Sequence, residues 1–228
     1  MDFFDTVRTR RSVRDYTEET VPDSVIEKAL DSALLAPNSS NMQTWEFAWV
    51  KDTRKKGDLV AACLGQSAAK TAQELIVASV IPGKWKQTNQ QILDNLKENN
   101  GPEIALNYYG KLMPFLYGLQ LLAPIKFLMF NLMGLFKPTP RRPWSYRDRE
   151  EVCIKSSALA CQNFMLAITA QGFDTCPMEG FDESRVKRII RLPRSARVVM
   201  VISVGKRKET GVWGPQFRVN KNQSVKII

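Results

Sequence analysis

Histidine is absent from all 228 residues. That excludes Ser-His-Asp and Cys-His catalysis and any metal centre built on imidazole. Acid–base work would fall to carboxylates, lysine, tyrosine or water, unless a cofactor carries the chemistry. Cysteine is scarce. Cys63, Cys153, Cys161 and Cys176 show no CxxC or CxxH spacing, so a zinc knuckle or dithiol redox centre lacks its ligands and no metal is expected. No GxGxxG follows a strand-like run and no phosphate-binding Gly-Lys loop occurs, which leaves a Rossmann dinucleotide domain and a P-loop unsupported. The first residues, with Asp2 and Asp5 among them, do not read as a signal peptide. The cysteine usage suits a reducing cytosol.

Basic residues are what the chain has in excess: 33 Lys and Arg against 23 Asp and Glu, a net charge of +10. Such a balance suits nucleic acid, an anionic membrane surface or anionic cofactors. The cations are scattered and no nucleic-acid-binding signature accompanies them, so no nucleic-acid partner is expected. The length suits one domain that buries ~70% of its unfolded surface.

Hydrophobic patterning predicts the elements. Asp2 caps a first helix with Phe3, Phe4 and Val7 on its apolar face. Arg10 to Tyr16 reads as extended. Pro22 opens a helix with Val25, Ile26, Ala29, Leu30, Ala33 and Leu34 inward, and Pro37 ends it. Residues 46–50, 75–81 and 197–204 read as strands. A helix is expected over 55–70, and a long one over 147–171 whose apolar positions cover more than one face. Asp182 caps another helix, and residues 223–228 have strand character. Residues 85–144 interrupt the scheme. Within them, 112–136 carries one charge, Lys126, and is long enough by count to cross a bilayer, but Pro114 and Pro124 break it. Three readings stand there: amphipathic helices covering a site or a dimer, a hydrophobic lid or peripheral membrane contact helped by Lys137, Arg141 and Arg142, and a membrane span.

Four segments could carry chemistry. In an extended run Arg10, Ser12 and Arg14 share a face, where guanidinium forks and a hydroxyl suit a phosphate dianion. Solvated pairing with Asp15, Glu18 and Glu19 is the plain alternative. Residues 37–43 crowd small amides and hydroxyls on a turn, which match alternating donors and acceptors or simply make a turn. Residues 174–182 form a loop in which Pro177 and Gly180 allow close backbone approach. Lys206 and Arg207 follow a strand directly.

In combination and order these segments resemble the nitroreductase family of FMN-dependent oxidoreductases: Arg-Arg-Ser-Val-Arg at 10–14, Ala-Pro-Asn-Ser-Ser-Asn-Met-Gln-Thr-Trp at 36–45, Cys-Pro-Met-Glu-Gly-Phe-Asp at 176–182, and a hydrophobic strand ending in Gly-Lys-Arg at 205–207. The resemblance covers roughly 2–80 and 145–228. It implies an α+β fold, a mostly antiparallel central sheet wrapped by helices, in a domain-swapped homodimer that exchanges its C-terminal strand. Residues 1–228 would then be one FMN-binding domain, with 85–144 a hydrophobic helical insertion or lid. By the same resemblance Arg10, Arg11, Ser12 and Arg14 hold phosphate, ribityl and pyrimidine groups, joined by Lys206 and Arg207 at the phosphate. Pro37, Asn38, Ser39 and Asn41 reach the FMN bound mainly by the other subunit, with Gln43 nearby. Pro177, Met178, Glu179 and Gly180 line the ring, and Lys70 lies near it. Family members often carry Ser at the place of Asn38 and Pro at that of Thr44. The implied activity is hydride transfer from NAD(P)H through FMN to a small organic acceptor such as a nitroaromatic or quinone, by a ping-pong mechanism. Reductive removal of a substituent, dehydrogenation, flavin breakdown and a membrane-surface flavin-binding role, through 112–136, remain as alternatives.

Overall fold

The β-branched runs build the centre of the molecule. In the computed structural model, which describes residues 1–118, 120–143 and 145–228, four strands form one antiparallel sheet in the order β1-β2-β4-β3. The chain runs through α1 (Phe3–Thr9), α2 (Asp23–Leu34), β1 (Trp45–Trp49), α3 (Thr53–Ala62), α4 (Ser67–Lys70) and β2 (Glu74–Val80). Then come α5 (Trp85–Glu98), α6 (Glu103–Asn107), a π-helical turn at Tyr108–Leu112, α7 (Met113–Tyr117) and α8 (Ala123–Phe136). The long α9 (Tyr146–Ala170), β3 (Asp174–Met178), α10 (Glu183–Ile189), β4 (Arg197–Gly205) and the short α11 (Lys221–Ser224) complete it. Leu119 and Trp144, both within 85–144, lie outside the described residues.

Alternation along β2 and β4 divides the core into two layers. Ile76, Ala78, Ile202 and Val204 meet Ile26, Ala29, Phe164 and Ile168 of α2 and α9 on one face. Leu75, Val77 and Val201 meet Leu59, Ala62 and Val186 of α3 and α10 on the other. α9 is long and apolar enough to cross a membrane by count, but half of that stretch is buried as the core helix. Its start is fixed by a reciprocal cap in which Ser145 and Asp148 accept from each other's backbone amides. The four cysteines are free and buried. Burial pushes the Cys63 thiol up to about 11 and the Cys161 thiol up to about 12.

Four expectations change, and one holds. The helix over 55–70 is two helices, because Leu64 and Gly65 take positive φ (59° and 66°) and turn the chain between α3 and α4. Residues 174–178 are a strand rather than a loop; Pro177 pairs opposite Ile202, tolerated because β3 is an edge. Phe3, Phe4 and Val7 point outward, as does Leu34 at the end of α2. Residues 223–228 form no strand with the described residues, and Ile227 and Ile228 are fully exposed. As the two prolines predict, the 112–136 run is broken between α7 and α8, and at 14 residues α8 is ~21 Å long, short of the ~30 Å hydrocarbon core.

Candidate functional site

The extended 10–16 segment is laced between β3 and the turn after β4. The Val13 amide donates to the Thr175 carbonyl (3.0 Å), and Arg14 donates to the Gly211 carbonyl (2.7 Å). The buried Tyr16 hydroxyl shares a 2.9 Å hydrogen bond with Ser203 Oγ, pinning the segment to the sheet. At Gly211 a Cβ would lie 2.5 Å from the Asp15 carbonyl, so only glycine allows this approach.

This lacing gathers positive charge. The Arg14 guanidinium lies 4.3 Å from the Trp213 ring centroid and donates to the Ser12 carbonyl at 3.2 Å. Arg11 donates to the Gly214 carbonyl at 3.0 Å. Arg10 is half-buried; desolvation lowers its pKa, and repulsion from Arg218 and Arg11 adds to that. The nearest acidic residue in sequence, Asp15, is already taken by Lys208 (3.2 Å) and Thr210. Among the described residues no ion pair engages Arg10, Arg11 or Arg14. Beside Arg14 opens a cavity of about 470 Å³ lined by Arg14, Asp15, Gln66, Cys176, Thr210 and Trp213 among others, the Asp15 carboxylate there being the one held by Lys208 and Thr210. Burial raises the Cys176 thiol, against the pull of Arg14 and Arg10.

The remaining residues expected near a ring or phosphate fall as follows. Met178 is buried in β3, while Glu179 and Gly180 are exposed just beyond it. The Gly180 carbonyl is held by Gln66 Nε2 at 2.6 Å, which ties this turn to the cavity wall. Arg207 is committed elsewhere: its guanidinium and its amide both grip Asp174, a carboxylate only 4% exposed. Lys206 Nζ donates to the Gly172 carbonyl at 2.7 Å. Lys70 is exposed at the end of α4, whose Ser67 and Ala68 line the cavity instead.

A second surface carries residues 37–43. Asn38 Oδ1 accepts from the Gln43 amide (2.9 Å), and Gln43 Nε2 donates to Asn41 Oδ1 (3.2 Å). Ser40, Asn41 and Gln43 all hold positive φ (54°, 52° and 43°), strained for residues with a Cβ. The loop is braced from below by the 85–144 segment: Ser40 Oγ meets the Tyr108 hydroxyl at 2.7 Å and Ser39 Oγ meets that of Tyr117 at 3.3 Å. The Ser39 amide donates to Ser156 Oγ of α9. Pro37, Asn38, Ser39, Lys155, Ser156 and Leu159 line a shallow cavity of about 370 Å³. It shares no lining residue with the cationic cavity. One copy of the chain therefore presents the two groups of motif residues as separate surfaces.

A sequence profile described as the Nitroreductase family matches residues 7–206, which take in the 37–43 surface and the Arg10–Arg14, Gln66 and Cys176 part of the cationic one, while Thr210 and Trp213 lie beyond it. The chain belongs to the nitroreductase family. MhqN of Bacillus subtilis, which carries an NAD(P)H nitroreductase name, is 28% identical over 228 residues, 100% of this chain and 99% of that one. A Thermus thermophilus protein named NADH dehydrogenase is 26% identical over 205 residues, 89% of this chain and 85% of its own. A solved protein of Exiguobacterium sibiricum, in complex with FMN, shares the fold with a TM-score of 0.72 at 22% identity, covering 100% of this chain and 98% of that one.

Gln66, Ser67 and Trp213 line the cationic cavity and Arg218 lies close enough to repel Arg10, although no motif covers these four; Cys176, also in the lining, opens the 176–182 motif. Trp213 had a readable signal, an exposed aromatic between Gly211 and Gly214. Gln66 had none, since its role comes from a contact with Gly180 across 114 residues of sequence.

Proposed function

We propose that the protein is an FMN-dependent NAD(P)H oxidoreductase acting on a small organic acceptor. The observation that carries this reading is the cluster of Arg10, Arg11 and Arg14, none in an ion pair among the described residues, with Arg14 and Trp213 walling a cavity beside it. Partly buried cations without carboxylate partners favour an anion, and a phosphate dianion satisfies two or three forks at once. The residues present thus fit FMN. Arg10, Arg11 and Arg14 would hold its phosphate and polar edge, with Ser12 nearby. The turn at Glu179 and Gly180, braced by Gln66, would meet its ring. When bound, FMN supplies the hydride relay between NAD(P)H and acceptor. The guanidiniums favour the negative charge that two-electron reduction brings, which a preorganised cationic wall does without rearrangement. No histidine is needed.

The separate 37–43 surface supports a homodimer in which a second copy brings Asn38, Ser39, Asn41 and Gln43 to the same cofactor. Outward apolar residues on α1 (Phe3, Phe4), α2 (Leu34, Leu35) and α9 (Ile154, Leu159), with the exposed tail, give that copy its contact surface. Donor and acceptor would share one cavity in turn, which predicts parallel double-reciprocal lines.

The test is flavin content and NADH or NADPH oxidation with quinone and nitroaromatic acceptors. Arg14→Ala removes a charge-assisted bond worth ~1.5–3 kcal/mol and should weaken FMN binding by about 10- to 100-fold. Undiminished FMN affinity in that variant would count against the phosphate role. Intersecting lines would rule out the shared cavity.

A further inference from the structure

Helix α8 presents an uncovered apolar stripe. Ile125, Leu128, Leu132, Leu135 and Phe136 recur at helical spacing and all are exposed, Leu135 by 73% and Phe136 by 88%. The one charged side chain of the helix, Lys126, is turned inward, where its Nζ donates to the Gly118 carbonyl at 2.7 Å above the Phe115 ring. Phe130 is buried on the same inner side. The outer face therefore carries no charge at all, although a water-facing helix normally would.

Along the chain the charge flanking this stripe is basic; near the start of α8 Arg142 is paired with Asp148 and Glu151, while Lys137 and Arg141 at its C-terminal end have no carboxylate partner among the described residues. No acidic residue occurs between Glu103 and Asp148, a stretch that contains Lys111, Lys126, Lys137, Arg141, Arg142 and Arg147. Lys137 follows α8 directly and is exposed. Arg141 reaches back to the Gly134 carbonyl, so its charge sits at the C-terminal end of α8. An apolar stripe rimmed by cations, on a helix too short to span, matches a helix lying in the plane of a membrane surface. A second copy of the chain suits it less. A two-fold contact would set these cations against their own duplicates, and α1, α2 and α9 already offer an apolar surface elsewhere.

We infer that α8 seats the protein on an anionic lipid bilayer, with the 125/128/132/135 stripe in the headgroup–acyl boundary and Lys137 and Arg141 toward lipid phosphates. The experiment is co-sedimentation of the full chain with phosphatidylcholine vesicles, with and without phosphatidylglycerol, at low and high salt. Wild-type protein should pellet with the anionic vesicles, and salt should reduce that fraction without abolishing it, because ions screen charge but not apolar insertion. A Leu128→Glu/Leu132→Glu variant should stay in the supernatant by a tenfold margin. Its circular dichroism, flavin content and sedimentation coefficient should match wild type, since both side chains are exposed. Lys137→Glu should remove only the salt-sensitive part. The inference is overturned if wild type ignores both vesicle types, or if the double variant pellets as well as wild type. It is equally overturned if the double variant halves the particle mass, which would show a second copy covering the stripe. Loss of flavin chemistry elsewhere in the molecule would leave this outcome untouched.

Discussion

Arg207 and Arg14 carry the same fork of donors, yet their surroundings give them opposite tasks. Arg207 neutralises Asp174, which is nearly inaccessible, so its removal strands a buried carboxylate. Breaking such a pair costs ~3–5 kcal/mol when fully buried; with Arg207 a third exposed, Arg207→Ala should cost about 2–3 kcal/mol in urea unfolding. An unchanged midpoint would contradict the structural role. Arg14 has no carboxylate to lose, so its substitution should be felt in ligand affinity first. From sequence the two looked alike, both being Arg in a basic run. Asp174 decided between them, and it stands 33 residues from Arg207. Arg10 and Arg14 were legible because alternate positions of an extended run share a face, whereas Arg11 was named through the family resemblance.

At the level of elements, backbone contacts set the site. Gly211→Ala would drive a methyl into the Asp15 carbonyl and pull Gly211 from the Arg14 amide. Overpacking of this kind costs ~1–3 kcal/mol, and the displaced Arg14 should lower FMN content together with stability. Retention of both would show that the 10–16 segment is not held by this turn. Helix α10 is tied to β4 by Glu183, which accepts from the Val198 amide at 3.1 Å and pairs with Lys187 and Arg197. Partial burial pushes the Glu183 carboxyl up, but these partners outweigh it and hold it below the usual carboxylate range. With the folded value depressed, the tie is whole above the unfolded value of ~4.3 and is lost as pH falls toward the folded one. The stability advantage of wild type over Glu183→Gln should therefore be larger at neutral pH than in acid; a constant difference between the two would contradict the assignment. The sheet strands were readable because β2 and β4 are continuous apolar runs. β3 was not, because Pro177 argues against a strand until the edge position is known. The break between α3 and α4 was hidden because Leu64 keeps the apolar period while its backbone leaves the helix.

For the whole molecule, the decisive feature is that one copy carries its two groups of motif residues on separate surfaces. The 37–43 loop, braced by Tyr108 and Tyr117, and the cationic cavity beside Trp213 share no wall. The family was legible from four short motifs in order. The bracing of one motif by the 85–144 segment was not, since that contact is tertiary and no motif covers it. The outward apolar residues of α1 and α9 and the exposed Ile227 and Ile228 of the tail belong to this same scale, and the proposed homodimer would give them a contact surface.

Sedimentation equilibrium of the purified protein, followed at the flavin absorbance band, tests this most directly. The account predicts a yellow particle of twice the 25.9 kDa chain mass with one FMN per chain. A colourless 25.9 kDa species that takes up no added FMN would contradict it.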